Sequence, residues 1–281
     1  MMPNQVLRRP QGVHRWRPTM LMNFTFLLHA GLLAAVVVYP HSWRWILAAG
    51  FANHIVLTLV GLWPRSTWLG PNWTQLPAAS AARGDIALTI DDGPNPDVTP
   101  QVLDLLDRYG VKATFFCIGD NAARYPDLCR AIVERGHAVE NHSQHHRHYF
   151  SLLGGRGLTR EIQAAQQTLT AITGSRPLFF RAPAGLRNPF LDRVLARLGL
   201  RLAAWTRRGF DTRTADPALV GRRLMRGLKA GAILLLHDGN CARTSTGVPV
   251  IVAVLPGLIE AAADAGLNFV TLPDALQFAN T

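Results

Sequence analysis

Ile86-Ala87-Leu88-Thr89-Ile90-Asp91-Asp92-Gly93-Pro94 is a short apolar run, partly β-branched, that ends in two adjacent carboxylates. Its length and composition predict a buried strand, and Gly93-Pro94 stops it, so the aspartates sit where strand gives way to loop. In α/β folds, ligands and chemistry collect at that edge of the sheet. Two neighbouring carboxylates repel unless positive charge lies close by. A divalent cation would resolve the repulsion, taking one aspartate as ligand and leaving the other free as a base. Read in isolation the same residues describe an ordinary Asp-Asp-Gly-Pro turn. The pattern downstream decides between the two.

From residue 84 onward, strand and helix patterns alternate almost without pause. Thr99-Pro100 reads as a cap with proline at the first helical position. The helix it opens has Val102, Leu103, Leu106 and Tyr109 on one side, and Gly110 closes it. Strand patterns follow at 111–118, 137–140, 177–180, 200–205, 232–236 and 268–272. Helical patterns lie between them at 126–135, 158–172, 188–198, 216–228 and 250–265. Repeated βα units imply parallel strands with helices outside, and about seven such units fit a barrel better than an open sheet. The expected fold is therefore α/β, a (β/α) barrel of about seven strands over 84–281.

The N-terminal part has a different character. The formal net charge is +11, yet no Asp or Glu occurs before Asp85. Residues 20–39 are almost wholly apolar, interrupted by Asn23, Thr25 and His29, and the run is long enough for a helix crossing ~30 Å of hydrocarbon. Pro40-His41-Ser42 breaks it, Trp43, Arg44 and Trp45 resemble interface anchors, and a second apolar stretch runs to Trp63 with Asn53 and His54 in its middle. A cleaved signal peptide matches poorly, since the first run is too long and a second follows. A buried helical hairpin is the alternative. We expect a basic tail over 1–19, a transmembrane helical hairpin over 20–63 and a polar linker over 64–83. Arg8, Arg9, Arg15 and Arg17 precede the first helix, whereas the turn between helices offers Arg44 alone. Positive-inside logic then puts the N-terminus, and after two crossings the domain that follows, in the cytoplasm of a multi-pass membrane protein in contact with membrane lipids, whereas a single crossing would put that domain on the opposite face. The basic balance suits anionic lipid or a phosphate-bearing substrate. Nucleic acid is not expected, because no RNP-like, zinc-finger or Lys/Arg-run signature is present. Three cysteines without metal-type spacing argue against a disulfide framework and favour a reducing compartment.

Immediately after the third strand comes Asn141-His142-Ser143-Gln144-His145-His146-Arg147-His148. His142 and His146 are four apart, a spacing that puts both imidazoles on one side of a helical turn. His145 and His148 are rivals that spacing does not exclude, and a histidine-rich polar loop is the plain alternative. With Asp92 at the end of another parallel strand, a site of two histidines and one carboxylate becomes concrete, with positions open for water and substrate. Zinc or another divalent metal would lower the pKa of its water and polarise a carbonyl oxygen. Arg181, at the end of the next strand, can pair with a carboxylate and hold a base in position. Ala182-Pro183-Ala184-Gly185 is a rigid turn of small residues whose amides could face an oxyanion. His237 follows the buried run Leu234-Leu235-Leu236 and is poised as a general acid if a carboxylate such as Asp211 supports it.

The strings TIDDGP, HSQHH, FFRAPAG, the Asp211 region and LLLHD occur in order, and the chain from about Gly84 to Ala275 resembles the NodB-like polysaccharide deacetylases, carbohydrate esterase family four. The resemblance implies a distorted (β/α) barrel and metal-dependent removal of N-acetyl or related acyl groups from sugars. It implies Asp91 as general base, Asp92, His142 and His146 as metal ligands, and Arg181 as the residue steadying the base. It further implies the Ala184 amide, after Pro183, as oxyanion donor and His237 as general acid with Asp211 as its partner. Zn2+ is the expected metal, with Co2+, Ni2+ or Fe2+ as substitutes. Two departures stand out: Ala184 replaces the usual aromatic, and the fourth motif reads Asp211-Thr212 with Arg207 and Arg208 upstream. The expected substrate is an N-acylated sugar or glycan, with a lipid-phosphate-linked sugar among the candidates. The rival readings are an inactive glycan-binding membrane protein on the same fold and a non-haem iron oxygenase using the same ligand trio.

Overall fold

The structure, a computed structural model, describes residues 15–278. It begins with two helices, α1 (Met20–Val38), whose first turn is capped by the Thr19 hydroxyl, and α2 (Trp43–Gly61), joined by a 3-10 turn at Pro40–Ser42. At 1.5 Å per residue each is roughly 28 Å long, close to the thickness of a hydrocarbon core. Both are long and apolar enough to cross a membrane by length and composition, although a core helix or a signal sequence passes the same test. Phe24, Leu27, Leu33, Val37, Trp45, Phe51 and Leu59 are exposed. The polar residues that interrupt the two runs face each other: Thr25 Oγ1 donates to Asn53 Oδ1 at 3.3 Å, and the His29 and His54 rings meet edge to face at 5.3 Å. Of the arginines behind the expected orientation, Arg8 and Arg9 lie outside the described residues.

The segment 64–83, expected as a polar linker, is built into the domain. Trp73 pairs with Ala203, Gln75 pairs with Ala232, Leu76 is buried, and a short helix α3 (Ala78–Ala82) leads into the first strand. Its lack of periodicity reflects single residues alternately packed and exposed, a pattern that composition does not separate from a loop.

The expected βα alternation follows. The chain runs through β1 (Asp85–Asp91), α4 (Thr99–Arg108), β2 (Thr114–Cys117), α5 (Gly119–Arg124), α6 (Pro126–Glu134) and β3 (Ala138–Asn141). It continues with α7 (Gly155–Thr173), β4 (Phe179–Phe180), α8 (Leu191–Leu198), β5 (Arg201–Leu202) and β6 (Arg207–Arg208). α9 (Pro217–Met225), β7 (Ile233–His237), α10 (Val250–Asp264), β8 (Asn268–Phe269) and α11 (Leu272–Phe278) complete it. Seven strands form one parallel sheet in the order β5-β4-β3-β2-β1-β7-β6, with β8 pairing the start of β1. The sheet curls, but its end strands β5 and β6 do not pair, so the expected distorted barrel is a half-barrel.

Side-chain alternation on the central strands places the chemistry. Ile86, Leu88 and Ile90 of β1, with Leu234 and Leu236 of β7, point into the core shared with α4, α6, α9 and α10. Each such burial stabilises by about 1.5–3 kcal/mol. The opposite file, Ala87, Thr89 and Asp91 on β1 with Ile233, Leu235 and His237 on β7, faces the barrel interior, and Asp91 stands in register with His237 and with Phe116. Because strands alternate with period two, an apolar floor rises to polar residues at the carboxyl rim.

A carboxylate also lies among these interior side chains. Glu140 on β3 is buried, and its Oε2 accepts the N–H groups of Leu178 (2.7 Å) and Phe179 (2.6 Å), which lead into β4. Burial pushes its pKa from 4.5 up to about 8, against those two hydrogen bonds. A raised folded-state pKa means that stability is fully present below the unfolded value and is lost as pH rises from about 4.5 through about 8. Glu140→Gln, which keeps an acceptor, should flatten that loss in thermal melts taken across this range. Glu140→Ala, which leaves two buried N–H groups unpaired, should cost about 1–3 kcal/mol. A Glu140→Gln melt with the wild-type pH dependence would sink this account.

Candidate active site

Regular alternation would send Asp91 and Asp92 to opposite faces of the sheet. The chain avoids this by ending β1 at Asp91 and placing Asp92 in the left-handed region, φ 73°, just before the cis Gly93-Pro94 bond. Both carboxylates thereby reach one cleft. The loop after β7 lies directly against this turn: a Cβ on Gly93 would meet the Asp238 carboxylate at 2.3 Å, and one on Gly239 would meet the Asp92 carbonyl at 2.3 Å. Burial raises the Asp238 pKa to about 7, and its carboxylate accepts the Thr99 hydroxyl and the Gly239 N–H. Thr99 is therefore committed to Asp238 and to the Asn95 N–H, and is not the expected helix cap. Asn95 Oδ1 instead accepts from Asp97 and Val98.

Asp92 Oδ1 lies 3.2 Å from His142 Nε2 and 3.3 Å from His146 Nε2. One ligand atom from each of the three residues falls within 4.8 Å of the others. The histidines do not share a helical turn, as their spacing predicted. They sit in an irregular loop with Ser143 at φ 65° and His146 at φ 47°, in which Asn141 Oδ1 accepts the Ser143 N–H and Ser143 Oγ accepts the His146 N–H. His142 Nδ1 donates to the Arg181 carbonyl at 2.8 Å, which turns Nε2 toward Asp92. Burial and the nearby His142 press the His146 pKa down to about 4, so its imidazole is neutral at physiological pH. Burial alone would raise the Asp92 pKa, but the hydrogen bond and charge of His142 hold it well below the carboxylate range. Two imidazole nitrogens and one carboxylate oxygen, opening on a cleft, are a donor set suited to a zinc-like cation. His145 is turned away, its Nδ1 2.8 Å from Glu161 Oε1, and His148 lines the cleft outside the trio.

Arg181 is only 1% exposed and its guanidinium is held on every side. It donates to Asp91 Oδ1 at 2.6 Å, Thr89 Oγ1 at 2.8 Å, Ala204 O at 2.7 Å and Ala203 O at 3.2 Å, and lies 4.1 Å over the Phe116 ring. The other Asp91 oxygen is 3.9 Å from His142 Nε2, beside the trio. Across the rim, His237 Nδ1 donates to Asp211 Oδ1 at 3.0 Å while its backbone N–H donates to Asp211 Oδ2 at 2.7 Å. Burial disfavours the His237 imidazolium, but the hydrogen bond and charge of Asp211 outweigh it and raise the pKa above the ordinary value.

These groups surround a cleft of about 480 Å³. Ala184, exposed at φ 54° in the 3-10 turn Pro183–Gly185, forms part of its wall, while Pro183 is buried at the base of that turn. Every sequence-predicted site residue except Pro183, Arg181 and Asp211 lines the cleft; Arg181 and Asp211 stand behind it, touching Asp91 and His237. The sequence reading missed Phe210, Arg213 and Asn240, all in the wall, and the Thr99–Asp238 pair beneath it. The available signal was the basic string from Arg207 to Arg213, of which only Asp211 was assigned a part.

The polysaccharide deacetylase family model matches residues 78–203, ending before Asp211 and His237. A peptidoglycan-N-acetylglucosamine deacetylase of Bacillus cereus is 32% identical over 214 residues, spanning 75% of this chain and 93% of the relative. A chitooligosaccharide deacetylase of Sinorhizobium fredii is 34% identical over 205 residues, 70% of this chain and 94% of the relative. Among solved structures, a mutant of a Bacillus anthracis pseudoenzyme of family CE4, with restored enzymatic activity, superposes with a TM-score of 0.63 at 25% identity, covering 69% of this chain and 68% of that one. By a relative matched over nearly its whole length and by the curled parallel sheet, the chain belongs to the polysaccharide deacetylases, the NodB-like carbohydrate esterases of family four.

Proposed function

We propose that this chain is a metal-dependent N-deacetylase acting on an N-acetylated amino sugar of a glycan, held at a membrane by residues 20–63 with residues 84–281 as its catalytic domain. The observation that carries the reading is the buried Asp91–Arg181 pair set beside the Asp92–His142–His146 trio, with His237 and Asp211 across the same cleft. A divalent cation held by Asp92, His142 and His146, Zn2+ by preference, would lower the pKa of water and polarise the amide carbonyl.

The chain's own residues supply the rest. Arg181 occupies Asp91 Oδ1, so Oδ2 is the oxygen free to take a proton from the attacking water. The backbone N–H of Ala184, at the cleft wall, can donate to the carbonyl oxygen as it gains negative charge. His237 keeps Nδ1 on Asp211 and presents Nε2 to the cleft, where its proton goes to the amide nitrogen as the carbon–nitrogen bond breaks. The products are acetate and a free amine. The uncovered apolar surface of α1 and α2 supports membrane anchoring, and Arg15 and Arg17 before α1 support a cytoplasmic domain, where a lipid-linked precursor glycan would be met. The inactive glycan-binding alternative is tested by the same assay, since it would release no acetate.

His142→Ala or His146→Ala should abolish zinc retention, read by plasma mass spectrometry of dialysed protein, together with acetate release from N-acetylated oligosaccharides. Undiminished hydrolysis by either variant removes the site as drawn. Asp91→Asn should lower kcat by about 10²–10⁴-fold, the scale of losing a general base. Because the His237 pKa is raised, the protonated acid persists above pH 6.5 and activity should fall as pH rises through the higher value. Asp211→Asn should shift that alkaline limb of the kcat–pH profile to lower pH, and an unmoved limb would show that His237 is not the acid.

A further inference from the structure

Beside the cleft lies a second cavity of about 450 Å³ whose wall carries Arg65, Arg207, Arg208, Arg223 and Arg226. The two cavities share Trp205, Arg208 and Phe210. Trp63 and Pro64, which follow α2, also line the second cavity.

The arginines are not there to satisfy acids. None of the five has an ion-pair partner among the described residues. Arg65 Nη1 donates to the Thr206 carbonyl at 3.2 Å, and Arg223 Nη1 to the Gly209 carbonyl and the Thr214 hydroxyl, contacts that orient guanidinium groups without neutralising them. Arg208 stacks 4.4 Å over Phe210, and its Nε is buried with no hydrogen-bond partner. Asp211 attracts it, but both oxygens of that carboxylate are taken by His237. The C-terminal dipole of α9 accounts for Arg223 and Arg226, but not for Arg65, Arg207 and Arg208, which come from other segments. The stem of Arg207 lies on Gly227, where a Cβ would meet its Cγ at 2.0 Å, so the close approach depends on glycine there. Five unneutralised cations around one small cavity repel one another until an anion enters, and planar guanidinium forks match phosphate oxygens.

We propose that this pocket binds a phosphate or diphosphate ester on the sugar whose N-acetyl group lies in the adjoining cleft. The inference rests on the deacetylase reading for its sugar, though not for its anion. It makes the substrate a glycosyl phosphate in place of a neutral polymer. Trp205 and Phe210 form the shelf between sugar and phosphate, and the end of α2 puts the phosphate where the hairpin enters the domain. A lipid-linked sugar satisfies that placement directly; a nucleotide sugar offers the same chemistry from solution.

The test uses the full chain in a neutral detergent and titrates inorganic pyrophosphate by calorimetry. Saturable binding that weakens with salt is expected, with Arg207→Gln/Arg226→Gln weakening it by at least about tenfold, the loss of a charge-assisted contact. Arg124→Gln, on α5 away from the pocket, should bind as the wild type does. Absence of saturable binding, or a double variant that binds as the wild type does, overturns the pocket whether or not the protein deacetylates anything. Acetate release from polyprenyl-diphosphate N-acetylglucosamine and from UDP-N-acetylglucosamine then identifies the source. Pyrophosphate-sensitive turnover of the first supports a lipid-linked substrate, and of the second a soluble one. Turnover of neutral chitooligosaccharides alone, indifferent to pyrophosphate, overturns the proposal even though the deacetylase reading survives.

Discussion

The Arg181–Asp91 pair is the constraint on which the rest of the site depends. Removing both charges from water is expensive, and mutual attraction repays it only when the remaining hydrogen-bonding capacity is also met. Here it is met, because the guanidinium reaches Thr89 within β1 and the two carbonyls that follow β5, and lies over Phe116 of β2. Burial pushes the Arg181 pKa down against the pull of the Asp91 charge. One side chain thereby ties three strands to the residue that faces the trio, and its own carbonyl orients His142. Positioning of Asp91 and of His142 is one structural event.

A similar economy governs the opposite rim. His237 is the last residue of β7 and stands in register with Asp91. Its neighbour Asp238 is held beneath by Thr99, and Gly239 packs on the Asp92 carbonyl so closely that no side chain fits. The two loops that carry the opposing groups are thus seated on each other, which keeps the distance across the cleft independent of solvent-exposed contacts.

The N-terminal hairpin packs on the domain that follows it. Met22, Leu57, Val60 and Leu69 form a small apolar cluster where it meets the domain, and Gly61 lies so close to the Arg187 carbonyl that a Cβ there would meet it at 2.3 Å. Arg187 in turn donates to the Ser66 carbonyl. Pro64 packs under Gly185, where a Cβ would touch it at 2.6 Å, directly behind the turn that carries Ala184. The chain leaving the hairpin therefore supports the wall of the cleft.

How much of this was legible beforehand follows from the range of the interactions. Local chemistry was readable: apolar runs and helical spacing marked β1 to β5, β7 and β8 with most of the helices between them but not the two-residue β6, Gly93-Pro94 marked the strand end, and the residue types at strand ends marked Asp91, Asp92, His142, Arg181 and His237. What depends on distant partners was not. The spacing of His142 and His146 suggested a helix because i and i+4 share a helical face, whereas Asn141, Ser143 and two left-handed residues produce the convergence through a loop. Thr99 reads as a cap until Asp238, 139 positions later, claims its hydroxyl. The linker's place in the domain, the open seam between β5 and β6, and the gathering of five arginines all arise from segments far apart in the chain. The sequence by itself determined the alternating architecture and the residues able to do chemistry, because those follow from short-range sterics and side-chain type. Only the tertiary structure decided which of them meet, because burial, charge pairing and close backbone approach exist only after remote segments have packed.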